Sequence, residues 1–91
     1  MTFEVRLSPH AVREFKKLDP QTKEKIRHAI DSLRQSPTSG PSVKRLKGML
    51  REYYRYRLGD YRIVYAVSPK THQVFIDYIQ HRKDVYREMQ H

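Results

Sequence analysis

The stretch from Lys44 to Arg62 constrains the fold of this chain most, because it carries the pattern of a β-hairpin with a defined register. Residues 52–58 alternate with the period of two that is typical of a strand. Gly59-Asp60 follows, and a leading glycine suits a two-residue II′ or I′ hairpin turn. The run YRIVYAV over residues 61–67 is then expected to be the returning strand.

Three arginines of this hairpin are predicted to share one face. The turn places Arg57 directly opposite Arg62, with Arg55 diagonal to them. Like charges that face each other on a sheet are destabilising, and no run of carboxylates lies nearby in the sequence. We therefore interpret the cluster as an anion site, although arginines on a hairpin more often form only its solvated face. The opposite face is apolar and is expected to face the core: Tyr54, Tyr56, Leu58, Ile63, Tyr65 and Val67.

The composition predicts one small domain with an anionic partner. A length of 91 residues suits a single domain over residues 1–91, and the net charge of +9 favours nucleic acid over a membrane surface. The chain has no cysteine, which excludes disulfides and thiolate metal sites and fits a reducing cytosol. Neither an apolar run of about 20 residues nor a signal peptide is present, so we expect a cytoplasmic protein without a membrane segment.

The first third of the sequence predicts a strand followed by a helical hairpin. Residues 2–7 alternate between polar and apolar side chains, as a half-buried strand does. Ser8-Pro9 and Asp19-Pro20 each combine an N-cap residue with a proline suited to the first helical position. Each start is followed by an apolar stripe at helical spacing.

The remaining segments complete an α+β fold. Residues 36–43 have the composition of a loop, and residues 72–80 have that of a strand. If Val67 pairs with His72, then Val74, Ile76 and Tyr78 face the core, while Phe75, Asp77 and Ile79 join the arginines and Asp77 offsets Arg62. A short C-terminal helix is expected from about Asp84. The prediction is an N-terminal strand, a helical hairpin and a three-stranded antiparallel meander in one four-stranded sheet.

Three motifs in order resemble the RelE/ParE superfamily of toxins. They are LKG over residues 46–48, YYRYRLGDYRIVY over residues 53–65 and HRKDVY over residues 81–86. The resemblance implies a RelE-like fold and a toxin of a type II toxin–antitoxin pair. It further implies a ribosome-dependent endoribonuclease that cleaves mRNA in the A site without a metal or cofactor. Its implied partners are the ribosome, mRNA and a cognate RelB-like antitoxin.

The resemblance also assigns catalytic residues, which are Arg55, Arg57, Arg62, Arg82 and Tyr86. RNA is cut when a 2′-hydroxyl attacks the neighbouring phosphate, and this reaction needs positive charge around the phosphorane. A guanidinium offers paired donors to phosphate oxygens, and we expect this role for Arg57, Arg62 and Arg82. Tyr86 would orient or protonate a reacting oxygen, or stack on a base.

The general base is not evident from the resemblance. Some relatives have lysine where this chain has Arg55 and Arg57, and arginine does not lose its proton in proteins. His81 is the nearest substitute, with an ordinary pKa of about 6.5. The alternative is that the ribosome or the RNA itself supplies part of the proton transfer.

Further basic and aromatic residues are expected to contact RNA or the ribosome: Lys44, Arg45, Lys47, Arg51, Tyr53 and Lys83. The histidines show no metal-ligand spacing, so no metal site is predicted. Two other functions stay open. One is a ParE-like toxin that inhibits DNA gyrase by binding, and the other is a plain RNA-binding domain, for which the charge alone suffices.

Overall fold

The computed structural model describes residues 2–47 and 53–83, and it has the α+β architecture that the sequence predicts. The elements in chain order are β1 (Glu4–Leu7), α1 (Pro9–Lys16), α2 (Pro20–Gln35), β2 (Val43–Leu46), β3 (Tyr53–Leu58), β4 (Tyr61–Ser68) and β5 (Gln73–His81). The strands form one sheet in the order β1-β5-β4-β3-β2. β1 runs parallel to β5, and the other neighbours are antiparallel.

Both helices begin at the predicted cap residues. The Ser8 hydroxyl accepts a hydrogen bond from the Ala11 N–H at 3.0 Å and donates one to the Asp77 carbonyl at 2.8 Å. The Asp19 carboxylate accepts from the Thr22 hydroxyl and from the Thr22 N–H, and these bonds lower the pKa of Asp19 below its usual value. Each proline follows its cap, where a missing N–H costs no intrahelical bond.

The sheet has five strands, so the prediction of four was wrong. The additional strand is β2, which pairs with β3 and forms one edge of the sheet. It has only four residues and follows directly on a segment rich in proline and serine, so no long alternation marks it in the sequence. The predicted C-terminal helix falls on residues 84–91, outside the described part of the chain.

The β3–β4 hairpin has the predicted register. Arg57 pairs with Arg62, and Arg55 pairs with Val64. Gly59 opens the turn with φ +57°, a backbone conformation that glycine adopts without a steric penalty. The turn residue type therefore sets which side chains of the two strands share a face.

The predicted register of β5 was wrong. Val67 pairs with Val74 instead of His72, and a β-bulge interrupts the pairing after Ile76. Asp77 is the extra residue, so every position after it changes face. Ile79 is therefore in the core with 2% of its surface exposed, whereas Tyr78 is 42% exposed. Gln80, and not Asp77, pairs with Arg62.

The core lies between the two helices and one face of the sheet. It combines Ala11, Ile26, Ala29 and Leu33 of the helices with Tyr54, Ile63, Tyr65, Val67, Val74, Ile76 and Ile79 of the strands. The buried Tyr65 hydroxyl donates to the Pro37 carbonyl at 2.7 Å, and burial raises the pKa of Tyr65 far above its ordinary range. This bond fastens the α2–β2 connection to the centre of the sheet.

In the part of the chain that the structure describes, no helix has the length and apolarity needed to cross a membrane.

Candidate nucleic-acid interface

The sheet face opposite the helices, here called the open face, carries its side chains in rows across the strands. Nearest the Gly59-Asp60 turn, the first row is Arg57, Arg62 and Gln80. The second row is Lys44, Arg55, Val64 and Tyr78, and the third is Leu46, Tyr53, Ala66, Phe75 and, on β1, Arg6. Neighbouring strands lie about 4.8 Å apart and successive rows about 7 Å apart. The cationic residues are thus concentrated in the first two rows, which we call the arginine end.

The cations of the arginine end lack acidic partners within residues 2–47 and 53–83. No ion pair or side-chain hydrogen bond there engages Arg55, Arg57 or Arg62. The carboxylates that do form ion pairs lie on β1 and the helices, where Glu4 contacts Arg6 at 2.6 Å and Asp31 contacts Arg34 at 2.8 Å. Adjacent unpaired guanidinium groups leave a positive potential, which an anion such as phosphate would neutralise.

Arg82 is held at the same end of the sheet. Its N–H donates to the Asp60 carbonyl at 2.7 Å, which ties the segment after β5 to the hairpin turn. Arg82 is exposed and directly follows His81, the last residue of β5. The structure therefore brings the Arg82 backbone close to Arg57 and Arg62, while Tyr86 lies outside the described residues.

His81 is directed to the helix side of the sheet, away from the arginine end. It pairs with Tyr61, and the two rings meet edge to face with centroids 4.9 Å apart. Its Nδ1 accepts a hydrogen bond from the Lys83 N–H at 3.1 Å, so in the neutral ring the proton is on Nε2. The structure does not bring His81 together with Arg57 and Arg62.

The predicted RNA-contacting residues are divided between two faces. Lys44 and Tyr53 lie on the open face beside Arg55. Arg45 pairs with Tyr54, so its position belongs to the helix side of β2. Lys47 and Lys83 are exposed at the ends of β2 and β5, and Arg51 lies outside the described residues.

The sequence interpretation placed Phe75 on the open face, where it lies, but it missed two residues of that face, Tyr78 and Gln80. Phe75 and Tyr78 are 37% and 42% exposed, unusual values for aromatic residues in a strand. Tyr78 and Gln80 were missed because the bulge at Asp77 is not signalled by a glycine or by a break in apolar pattern.

Histidine, aspartate and glutamate side chains do not converge in the described ranges, 2–47 and 53–83. No three of these groups lie close enough there to hold a metal ion. The described side chains of the arginine end offer fixed cations and hydrogen-bond donors.

Comparison with known proteins places the chain in a family. A family model described as the ParE toxin of the type II toxin–antitoxin system parDE matches residues 5–86. The chain belongs to this toxin family. A curated relative from Methanocaldococcus jannaschii, named as the candidate toxin RelE1, is 30% identical over 89 residues, which cover 96% of this chain and 98% of the relative.

Solved structures of RelE toxins share the fold of this family member. The archaeal RelE–RelB complex from Pyrococcus horikoshii contains a chain that is 28% identical, with a TM-score of 0.80 over 90% of this chain and 97% of its own. In the RelBE2 toxin–antitoxin complex from Mycobacterium tuberculosis, the identity is 26% and the TM-score 0.78, over 90% of this chain and 100% of the other. The predicted membership of the RelE/ParE superfamily is confirmed.

Proposed function

We propose that this toxin is an endoribonuclease that cleaves mRNA in the ribosomal A site. The observation that carries the proposal is the group of Arg55, Arg57 and Arg62 on the open face, without carboxylate partners in the described part of the chain. The RelE names of its relatives support the same activity class. This function places the toxin in the cytoplasm, where translating ribosomes are found.

The reaction proceeds by attack of the 2′-oxygen of one nucleotide on the phosphorus that follows it. The 2′-hydroxyl proton is lost, a phosphorane forms, and the bond to the 5′-oxygen of the next nucleotide breaks. That oxygen takes up a proton, so the products are a 2′,3′-cyclic phosphate and a 5′-hydroxyl. No metal is required, because Arg57 and Arg62 supply positive charge to the non-bridging oxygens.

Individual roles follow from position. Arg57 and Arg62 are directly paired across β3 and β4 and would hold the reacting phosphate between them. Arg55, one row further, and Arg82, beside the turn, would hold flanking phosphates. Tyr86 would orient or protonate the leaving oxygen.

Proton abstraction is assigned to the ribosome or to the RNA. Arginine does not act as a base, and His81 lies on the helix side of the sheet with Nδ1 already accepting a hydrogen bond. The proposal therefore gives His81 no proton-transfer role. A base supplied by the ribosome would also make the reaction depend on the ribosome, since neither the arginines nor His81 fills that role among the described residues.

A cognate antitoxin of the RelB type is the proposed regulatory partner. The solved relatives from Pyrococcus horikoshii and Mycobacterium tuberculosis are toxin–antitoxin complexes. An acidic antitoxin would suit a chain with a net charge of +9 and would lower the affinity of the toxin for RNA.

The proposal is tested by Arg62→Ala on programmed ribosomes with a defined mRNA, with cleavage mapped at the 5′ ends. We expect a loss of about 10²-fold or more in cleavage rate, because a donor to the transition state is removed. Arg13→Ala removes the same charge from an exposed position of α1 and should leave the rate unchanged. Wild-type toxin that leaves A-site mRNA intact would exclude the proposal.

The second candidate is a gyrase inhibitor, which is favoured by the ParE name of the matching family model. Such a toxin would act by binding and would need no reacting groups. Gyrase-dependent DNA breaks with intact mRNA would support it, and A-site cleavage without DNA damage would exclude it.

A further inference from the structure

Aromatic rings are exposed on the open face next to the arginine end. Phe75 is 37% exposed and Tyr78 is 42% exposed, and both belong to β5. Their cross-strand partners on β4 are Ala66 and Val64, whose side chains are small or medium in size. On the β4 side, small neighbours leave the flanks of both rings uncovered, whereas on its other side Phe75 pairs with Arg6 of β1, which contacts Glu4. Both rings still present aromatic surface that the core does not use.

The bulge at Asp77 places both rings on this face. Regular pairing would put Phe75 and Tyr78 on opposite faces, because they are separated by three positions. The extra residue changes the parity between them, so the two rings stand on the same side of one strand. Because β1 pairs only with residues 73–76 of β5, Tyr78 lies at an uncovered edge of the sheet. There the ring of His10 in α1 meets the Tyr78 ring edge to face, with centroids 5.3 Å apart and an interplanar angle of 74°, which restricts the movement of the Tyr78 ring.

Cations of the arginine end lie in the same row of the open face as Tyr78. Tyr78 shares its row with Arg55 and Lys44, and two strand spacings of about 4.8 Å separate Tyr78 from Arg55. A nucleotide whose phosphate is bound at Arg55 would have to extend its base across β4 to reach Tyr78, a span of about 10 Å. Bases that extend from a backbone bound at the arginine end would therefore lie over β4 and β5.

We propose that Phe75 and Tyr78 form a platform on which bases of single-stranded RNA stack while their phosphates occupy the arginine end. The inference rests on the proposed function and adds to it the residues that hold the bases. An RNA occupant is favoured because unpaired cations border the rings, and every base has a π-face that can stack without sequence readout. Tyr53, in the same row as Phe75, borders the platform on β3.

The platform predicts a loss of affinity that depends on the bases. The test compares wild-type toxin with F75L/Y78L, which keeps apolar side chains but removes both rings. Binding is measured by fluorescence anisotropy with a 2′-O-methyl RNA oligonucleotide, which cannot be cleaved, and with an abasic oligonucleotide of equal length. We expect the double variant to bind the base-containing oligonucleotide about tenfold more weakly and the abasic one unchanged.

Three controls accompany this comparison. Tyr78→Phe keeps the ring and should retain most of the wild-type affinity. Val12→Ala shortens a side chain of α1 that is 36% exposed, and it should change the affinity for neither oligonucleotide. Arg62→Ala should weaken binding of both oligonucleotides, since it removes a phosphate contact and not a stacking surface.

The proposal is overturned if F75L/Y78L weakens the binding of both oligonucleotides equally, or weakens the binding of neither. It is also overturned if sedimentation shows a wild-type dimer that this variant dissociates, because a second copy would then cover the rings. Failure of the platform is separable from failure of the nuclease proposal. A-site cleavage by wild-type toxin without base-dependent binding would reject only the platform, and base-dependent binding without cleavage would reject only the nuclease.

Discussion

At the scale of single residues, Arg57 and Arg62 are paired directly across β3 and β4 although their like charges repel each other. Cross-strand pairs of like charge destabilise a sheet, and no carboxylate in the described ranges contacts either guanidinium. An RNA phosphate would relieve this repulsion on binding. Without RNA, the repulsion between the two arginines therefore lowers the free energy of unfolding of the toxin, and this effect should be measurable.

Arg57→Glu is expected to make the toxin more stable and less active. An opposite-charge pair with Arg62 should raise the free energy of unfolding by about 0.5 kcal/mol at low salt. The gain should diminish as ionic strength rises, because exposed charges are screened. Urea unfolding at two salt concentrations measures the effect, with Arg57→Gln as the uncharged control. A variant less stable than Arg57→Gln at low salt would contradict this account of the pair.

The backbone of His72 also lowers the stability of the fold, because its φ of +54° is the left-handed conformation that few non-glycine residues adopt. The ring packs on Phe3 with centroids 4.9 Å apart, which compensates in part. His72→Val should lower the free energy of unfolding by about 2 kcal/mol, since a β-branched residue is strained there. Lys70→Val, in the same turn, should change it by less than about 0.5 kcal/mol. If His72→Val and Lys70→Val lowered the free energy of unfolding equally in urea denaturation, the φ of His72 would not be the cause.

At the scale of elements, Ser8 joins a helix start to the centre of β5. Its hydroxyl caps α1 and also donates to Asp77, the extra residue of the bulge. Ser8→Ala should cost about 2 kcal/mol, from the lost cap and the unpaired carbonyl. Ser8→Thr keeps the hydroxyl and should recover most of the loss. Thermal or urea unfolding checks this, and a loss no larger than that of Ser39→Ala, in an exposed loop, would exclude the dual role.

Some features of the elements can be predicted from the local sequence, and others cannot. The helix starts and the Arg57–Arg62 register follow from local chemistry, namely a cap followed by proline and a two-residue turn with glycine. The position of β5 depends on a bulge that is stabilised by tertiary contacts, including the bond from Ser8 to Asp77. No local pattern encodes such contacts, so Tyr78 and Ile79 were assigned to the wrong faces.

At the scale of the whole molecule, the paired and unpaired charges are separated in space. Ion pairs within α2 join Glu24 to Arg27 and Asp31 to Arg34, whereas the cations of the arginine end have no acidic partner in the described ranges. Attraction to RNA should therefore be directional, strongest toward the open face.

The salt dependence of RNA binding should report this distribution. Contacts from Lys44, Arg55, Arg57, Arg62 and Arg82 predict a slope of log affinity against log salt of about −3.5, at about −0.7 per contact with a single strand. Arg57→Ala should reduce the slope by about 0.7, and Arg13→Ala should not change it. Anisotropy titrations with an uncleavable oligonucleotide at several salt concentrations provide the measurement. Equal slopes for wild type and Arg57→Ala would remove Arg57 from the phosphate contacts.

The pairing of β1 with β5 joins the beginning of the described chain to its far end, since Glu4 is aligned with Gln73 and Leu7 with Ile76. During synthesis, α1 and α2 emerge early and form from neighbouring residues, but β1 has no strand to bind until β5 leaves the ribosome. The sheet therefore cannot be completed until β5, the last of the described elements, has been synthesised. A nascent copy therefore has no complete open face until β5 has left the ribosome, on which we propose that the finished toxin acts.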